Sequence, residues 1–249
     1  MPLVPEVWNS LRRFSPLVFD PAAEAGLLFR RETKYLVPPS MLPALLAGLC
    51  ADYQLLVVND RPVQRYVNFY WDTRDFRCYR AHHNGRRPRY KIRLRHYLET
   101  RMACWEIKKK VAPYLTEKYR QAVGEGDWRD FFRSYLPDAF AGLRPVLENR
   151  YRRISLLDRE GGQRLTLDWD ISGRIPGTGR WVGFPVVVAE HKQPPHSHRY
   201  QSFESIFRQL GLRSSPFSKY CLTCCRLYPG LKYNAFKPLL KTMEKMQHL

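Results

Sequence analysis

No run of about 18 or more apolar residues occurs in the 249-residue chain, so no membrane-spanning helix is expected. The opening stretch MPLVPEVWNSLRRFSP lacks the basic-then-apolar order of a secretory signal. The expected location is therefore the cytoplasm, either free or peripheral at a membrane. Six cysteines, at 50, 78, 104, 221, 224 and 225, show no regular disulfide framework. The CLTCC cluster would need a second ligand pair, and His196 and His198 have no familiar zinc spacing, so buried or free thiols are expected. There is no GxxxxGK[ST] loop, and no Ser-His-Asp or Cys-His nucleophile set stands out. Repeats and low-complexity linkers are also missing, which makes a single domain over 1–249 the default. Acidic residues are scarce: 23 against 42 lysines and arginines, for a formal charge of +19. Such a balance calls for an anionic partner without naming one.

What is present is charge in strand register. Residues 89–97 read RYKIRLRHY, so Arg89, Lys91, Arg93 and Arg95 alternate with Tyr90, Ile92, Leu94 and His96. A period of two puts the four cations on one face of a strand. WEIKKK repeats the pattern with Glu106, Lys108 and Lys110, and RLTLDWDI with Arg164, Thr166, Asp168 and Asp170. VVVAEHK places Glu190 beside Lys192. Further strands are predicted over 28–38 and 65–73, with a hairpin around REGG at 159–162 and a turn at Asn84-Gly85. Helices are expected in PSMLPALLAGLCADY, DWRDFFRSYLPD and RYQSFESIFRQLGL, the last near its end at Gly211. The tail, 232–249, reads as a basic amphipathic helix packed or solvated at the terminus. Seven or eight mostly antiparallel strands can close into a barrel.

Magnitude separates two readings of the charged faces. Same-face neighbours on a strand lie roughly 6.5–7 Å apart. Like charges at that distance repel by about 0.6 kcal/mol in water and about 2.4 kcal/mol at an effective dielectric of 20. On an open surface the array costs little. Facing inward it requires a neutralising polyanion. Three carboxylates, Glu32, Glu106 and Glu190, each precede a lysine by two residues; this suits either ion pairing along a strand or a divalent ion shared with phosphate.

The ordered string FRRETKYLV, NFYWDT, RYKIRLRHY, WEIKKK, EKYR, RYRRISL, RLTLD, VVVAEHK and FSKY resembles the VTC domain. That domain is a polyphosphate polymerase module of the triphosphate tunnel metalloenzymes, and the resemblance runs from about residue 27 to 228. It implies an α+β fold, a closed antiparallel β-barrel with flanking helices whose inward charges hold a phosphate chain. It implies catalytic phosphate contacts at Lys34, Arg93, Arg95, Lys108, Lys118, Arg153, Arg164 and Lys219. Arg30, Lys91, Lys192 and Ser218 follow as further substrate contacts. Glu190 is the implied ligand for Mn²⁺ or Mg²⁺; Glu106 either assists it or orients Lys108. The implied partners are ATP and inorganic polyphosphate, with no specific nucleic acid, and any transport of product would need a separate membrane protein.

One departure bears on the reaction. Hydrolytic members of that superfamily begin with Glu-x-Glu-x-Lys, whereas this chain has Arg30-Arg31-Glu32-Thr33-Lys34. The expectation is therefore transfer of the γ-phosphate of ATP onto a growing chain. A metal-dependent tripolyphosphate or nucleoside-triphosphate hydrolase is the first alternative, and a non-catalytic polyphosphate or RNA binder the second.

Overall fold

A computed structural model describes residues 5–18, 31–113, 115–160, 162–194 and 202–246. Its frame is one sheet containing eleven strands, eight of which form a continuous ladder. In ladder order these are β2 (Arg31–Val37), β11 (Val187–Gln193), β9 (Arg164–Arg174), β8 (Arg144–Asp158), β4 (Gln64–Asp72), β5 (Arg89–Tyr97), β6 (Met102–Lys110) and β7 (Thr116–Ala122). Every pairing along this path is antiparallel. Off the path, β1 (Ser15–Val18) pairs in parallel with β3 (Tyr53–Val57), β3 pairs with β8, and β10 (Val182–Phe184) pairs with β9.

The sheet curls without closing. β2 and β7 are the ends of the ladder, and no register joins them among the described residues. This corrects the expected closed barrel: the fold is α+β around a curled antiparallel half-barrel. The free edge of β2 is strapped instead by an extended segment, through a Tyr35–Ser214 bridge and the Ser215 amide donating to the Lys34 carbonyl at 2.7 Å. Register shifts at Tyr70/Trp71 and at Arg150/Arg152 bend the middle strands, as bulges do.

Alternation explains which side is core. In β5 and β6 the residues Tyr90, Ile92, Trp105 and Ile107 are buried on the outer face. They pack under α3 (Arg77–His83), α4 (Trp128–Tyr135), α6 (Lys219–Leu227) and α7 (Lys237–Met246) in one apolar cluster. A second cluster joins Leu156, Leu165, Leu167 and Ala189 to α1 (Pro5–Leu11), α2 (Leu42–Leu49) and α5 (Ser202–Gln209). Apolar side chains thus lie beneath helices, and the charged faces of the strands are left for the concave side.

One carboxylate ties this frame together. Asp72, fully buried at the end of β4, accepts from the amides of Thr73, Cys78 and Tyr79 at 2.8, 2.9 and 3.1 Å, and from the Tyr220 hydroxyl. It therefore caps α3 from outside and pins α6. The predicted turn at Asn84-Gly85 is present, with Gly85 at φ 67, but it ends α3 rather than joining two strands. Asp170 departs from the alternation: its φ of 51 turns it to the outer side, where Arg152 meets it at 3.2 Å. Cys78, Cys221 and Cys224 are buried free thiols, and no group of three or more metal-ligating side chains occurs among the described residues. The 28–30 part of the first predicted strand, His196 and His198 lie outside the described residues. Among those described, no helix is long and apolar enough to cross a membrane.

Replacing Asp72 with alanine leaves three buried amides and a hydroxyl without their acceptor. Stability should fall by about 2–4 kcal/mol, read as an earlier urea midpoint. An unchanged midpoint would remove Asp72 from this role.

Candidate functional site

The concave side of the sheet encloses a cavity of about 410 Å³. Thirteen lysines and arginines line it, against two carboxylates, Glu32 and Glu190. All eight residues expected to contact phosphate, Lys34, Arg93, Arg95, Lys108, Lys118, Arg153, Arg164 and Lys219, are on this wall. Lys91, Lys192, Ser218 and Glu190 join them. Arg30 lies outside the described residues. The wall also carries Glu32, one of the three carboxylates that precede a lysine by two residues, and Arg89 and Lys110 of the charged strand faces; His82, Arg120 and the tyrosines 66, 70, 97 and 151 on it were not singled out from sequence.

Two buried carboxylates set behind the wall hold the arginines in place. Glu106, with no exposed surface, accepts from Arg93 Nε at 2.6 Å, Arg120 Nε at 2.9 Å and the Tyr97 hydroxyl at 3.4 Å. Lys118 Nζ stands 3.4 Å from it, and Arg95 Nη1 3.9 Å. Burial works to raise its pKa, but Arg93, Arg95 and Lys118 outweigh that and hold it well below the carboxylate range. With both oxygens filled by cations, Glu106 orients arginines and Lys118 rather than Lys108, and offers a metal little. Asp168, also fully buried, receives Arg153 in a two-pronged pair at 2.5 and 2.8 Å and is bonded by Lys219. Burial raises its pKa too, yet Arg153 and Lys219 bring it down to about 2.

The remaining donors face one another across the cavity. Arg95 donates to Asn68 Oδ1 and the Tyr151 hydroxyl, each at 2.8 Å, while its guanidinium carbon lies 5.1 Å from the Tyr66 ring. Lys219, the first residue of α6, stands 4.5 Å over the Tyr151 ring. Ser218 caps the same helix, its hydroxyl accepting from the Cys221 amide. The field of these cations shows on Tyr151: burial would raise its phenol, but Arg95, Arg153 and Lys219 leave it below its ordinary value.

Burial bears hardest on the lysines. Burial, with Lys34 beside it, lowers Lys91 to about 8. Lys118 is brought to about 8, chiefly by burial and despite Glu106. Lys108 lies well below its usual value, again through burial first, with Arg93 and Lys192 adding to it against the carboxylates. His82 is driven to about 2 by burial and by Lys91, Arg89 and Lys34, and its Nδ1 is buried without a partner. The cavity wall carries more positive charge than its carboxylates balance.

The two wall carboxylates fit a divalent ion. Glu190 is paired in register with Lys34 and Lys192 with Glu32, so Glu190 and Glu32 are diagonal neighbours on one face, roughly 7–8 Å apart in backbone position. Lys192 and Lys34 stand 3.1 and 3.7 Å from Glu190. Against burial, Lys192 and Lys34 keep Glu190 ionised well below the usual range. Glu32, which lines the cavity, is held at about 2 by Lys108 and Lys192 against burial and Glu190. Two carboxylates do not enclose a small hard cation. They suffice for one that keeps water and shares phosphate oxygens.

The family model for the VTC domain matches residues 29–138 and 135–228. Among solved structures, the Hippeastrum protein HpAC1, proposed as an adenylyl cyclase and described with a dominant triphosphatase activity, is similar at a TM-score of 0.52. It is 15% identical, over 79% of this chain and 95% of its own. A proposed adenylate cyclase of Bacillus halodurans is similar at 0.50 and 16% identity, over 80% of this chain and 96% of its own. At such identities the likeness shows the fold alone. No curated protein matches the sequence at a significant level.

Replacing Glu106 with glutamine should leave four cations without their shared anion and cost about 3–5 kcal/mol of stability. Added tripolyphosphate should recover more melting temperature in this variant than in the wild type. Equal melting temperatures for the two proteins would show that Glu106 anchors nothing.

Proposed function

The chain belongs to the VTC domain family, and from the cavity its strands build we propose that it is a polyphosphate polymerase. It transfers the γ-phosphate of ATP onto the end of an inorganic polyphosphate chain. A terminal oxygen of the acceptor attacks the γ-phosphorus, the bond to the β–γ bridging oxygen breaks, and ADP leaves with that oxygen. Such a transfer is governed by in-line positioning and charge stabilisation. Arg93 and Arg153, fixed by Glu106 and Asp168, present guanidinium groups that cannot swing away. Lys108, Lys118, Arg164 and Lys219 supply charge along the chain, and Ser218 a hydroxyl beside it. Arg95, Lys34, Lys91 and Lys192 complete the wall.

Enzymes of the triphosphate tunnel class generally use a divalent ion. Here Glu190 and Glu32 would hold it, Mn²⁺ or Mg²⁺, and when bound it would neutralise phosphate oxygens.

What favours transfer over hydrolysis is that, among the described residues lining the cavity, neither carboxylate nor the histidine makes a suitable base. Water must lose a proton as it attacks, whereas an anionic phosphate acceptor need not. Both cavity carboxylates are held ionised at low pKa by lysines, and His82 is driven to about 2, so all three are weak bases. The lysines become fully protonated once a polyanion enters. Hydrolysis in the same cavity, the activity described for HpAC1, is the reading that the assay must separate.

Purified protein incubated with ATP, a divalent ion and a short polyphosphate primer should give lengthening chains with one ADP per added phosphate, followed by gel and ³¹P NMR. Orthophosphate release without chain growth would favour the hydrolase. Arg93→Ala should abolish turnover, and Glu190→Gln should raise the metal concentration needed for half-maximal rate. A metal titration unchanged in Glu190→Gln would take that residue out of the role.

A further inference from the structure

The two mouths of the cavity are chemically unlike. Register places Arg89 opposite Lys110 at one end of β5–β6, and Tyr97 opposite Met102 at the other. The Tyr97 end carries exposed apolar side chains, Leu98, Met102 and Val123, at 40, 55 and 54% exposure. The Arg89 end continues into exposed cations. His82, at the end of α3, lines the cavity there, and its ring also lies 6.0 Å from that of Phe236, which begins the C-terminal segment. The Ala235 amide donates to His83 Nε2 at 3.3 Å, and the Tyr79 hydroxyl donates to the Lys232 carbonyl at 3.0 Å. The start of α7 is therefore fastened beside this mouth, with Leu239 and Met243 buried beneath it.

The surface so formed is strongly cationic. Arg80 on α3 and Arg86 and Arg87 in the following loop are exposed. Lys237, Lys241 and Lys245 recur every four residues along the exposed side of α7. None of the six is within ion-pair distance of a carboxylate among the described residues. Glu244 is the acidic residue of α7; Asp75, in the turn before α3, accepts from the Thr73 hydroxyl and feels the charges of Arg77 and Arg80.

We infer that this platform of α3, the 84–88 loop and α7 is the track on which a polyphosphate chain too long for the cavity lies as it leaves the Arg89 mouth. The inference rests on the polyphosphate reading of the cavity. A linear polyanion of uniform charge needs no fixed register, so solvated lysines and arginines serve it as they serve a nucleic-acid backbone. Their contribution should be additive, weak per residue and strongly dependent on salt. It also explains why a terminal helix with a buried apolar stripe carries three lysines on its other side.

The test compares tripolyphosphate, short enough for the cavity, with a long polyphosphate, by equilibrium binding at low and moderate salt. The wild type should bind the long chain more tightly per site. Two triple variants, Arg80→Ser/Arg86→Ser/Arg87→Ser and Lys237→Ser/Lys241→Ser/Lys245→Ser, should each weaken long-chain binding by about tenfold while leaving tripolyphosphate unaffected. Arg12→Ser/Arg13→Ser/Arg129→Ser, three exposed arginines outside the platform elements, controls for an equal loss of net charge and should change neither ligand. Long-chain binding insensitive to the platform variants, or equally sensitive to the charge-matched control, would overturn the track. Arg93→Ala judges the cavity separately: if it leaves tripolyphosphate binding intact, the cavity reading fails, whatever the chain-length result.

Discussion

Repulsion among like charges on the concave face is the constraint around which this structure is arranged. A strand that places a cation at every second residue cannot turn that face inward without help. Help comes from two buried carboxylates, Glu106 and Asp168, each taking several cations at once. They neutralise part of the array from behind and leave the cavity itself with an excess of positive charge. What the walls do not balance, the ligand must. Burial first, and the neighbouring cations after it, depress Lys91, Lys108 and Lys118.

The same carboxylates convert stability into geometry. A lysine or arginine in water explores many rotamers, and ordering it costs free energy when a ligand binds. Arg93 and Arg153 have been ordered during folding, by bonds to groups that are themselves fully buried. Asp72 does similar service one layer further out, capping α3 and pinning α6 through Tyr220. Tyr220 stacks on Tyr70 at 5.1 Å, and the Tyr70 hydroxyl accepts from Arg93 at 3.3 Å. The cap of a helix on the outside is thus connected to a cation on the inside by three contacts.

Strand periodicity makes much of this legible in the sequence alone. The alternation in RYKIRLRHY and WEIKKK identified the inward residues of β5 and β6, because a period of two assigns faces without knowledge of partners. Faces alone do not give depth. Glu106 shares a face with Lys108, yet lies behind the wall, since the cations crowding it come from β5 and β7 as well as its own strand. Asp168 was visible on the Arg164 face, but its task depends on Arg153 from β8 and Lys219 from α6. Asp170 broke the pattern through a left-handed φ that alternation cannot anticipate. Closure was over-read for a related reason: strand count permits a barrel, whereas pairing between the terminal strands is decided by the bulges and by the segment strapping β2. β7, with the short polar run TEKYRQA, offered little periodic signal, and it became recognisable only through its place in the family's string of motifs.

The most direct test of an unbalanced cationic cavity counts protons. Calorimetric titration with ATP, without divalent ion and in two buffers of different ionisation enthalpy, reports the protons exchanged on binding. Above about pH 8 the terminal phosphate is fully ionised, while Lys91 and Lys118, each near 8, are partly neutral in the free protein. An entering polyanion raises both pKa values, so binding should take up protons, with the uptake shrinking as pH falls well below 8 and affinity weakening as pH rises through it. Net uptake near and above pH 8, lost in Arg93→Ala along with binding, is the predicted result. Binding with no proton uptake there, or with release, would contradict a cavity whose depressed lysines await an anion.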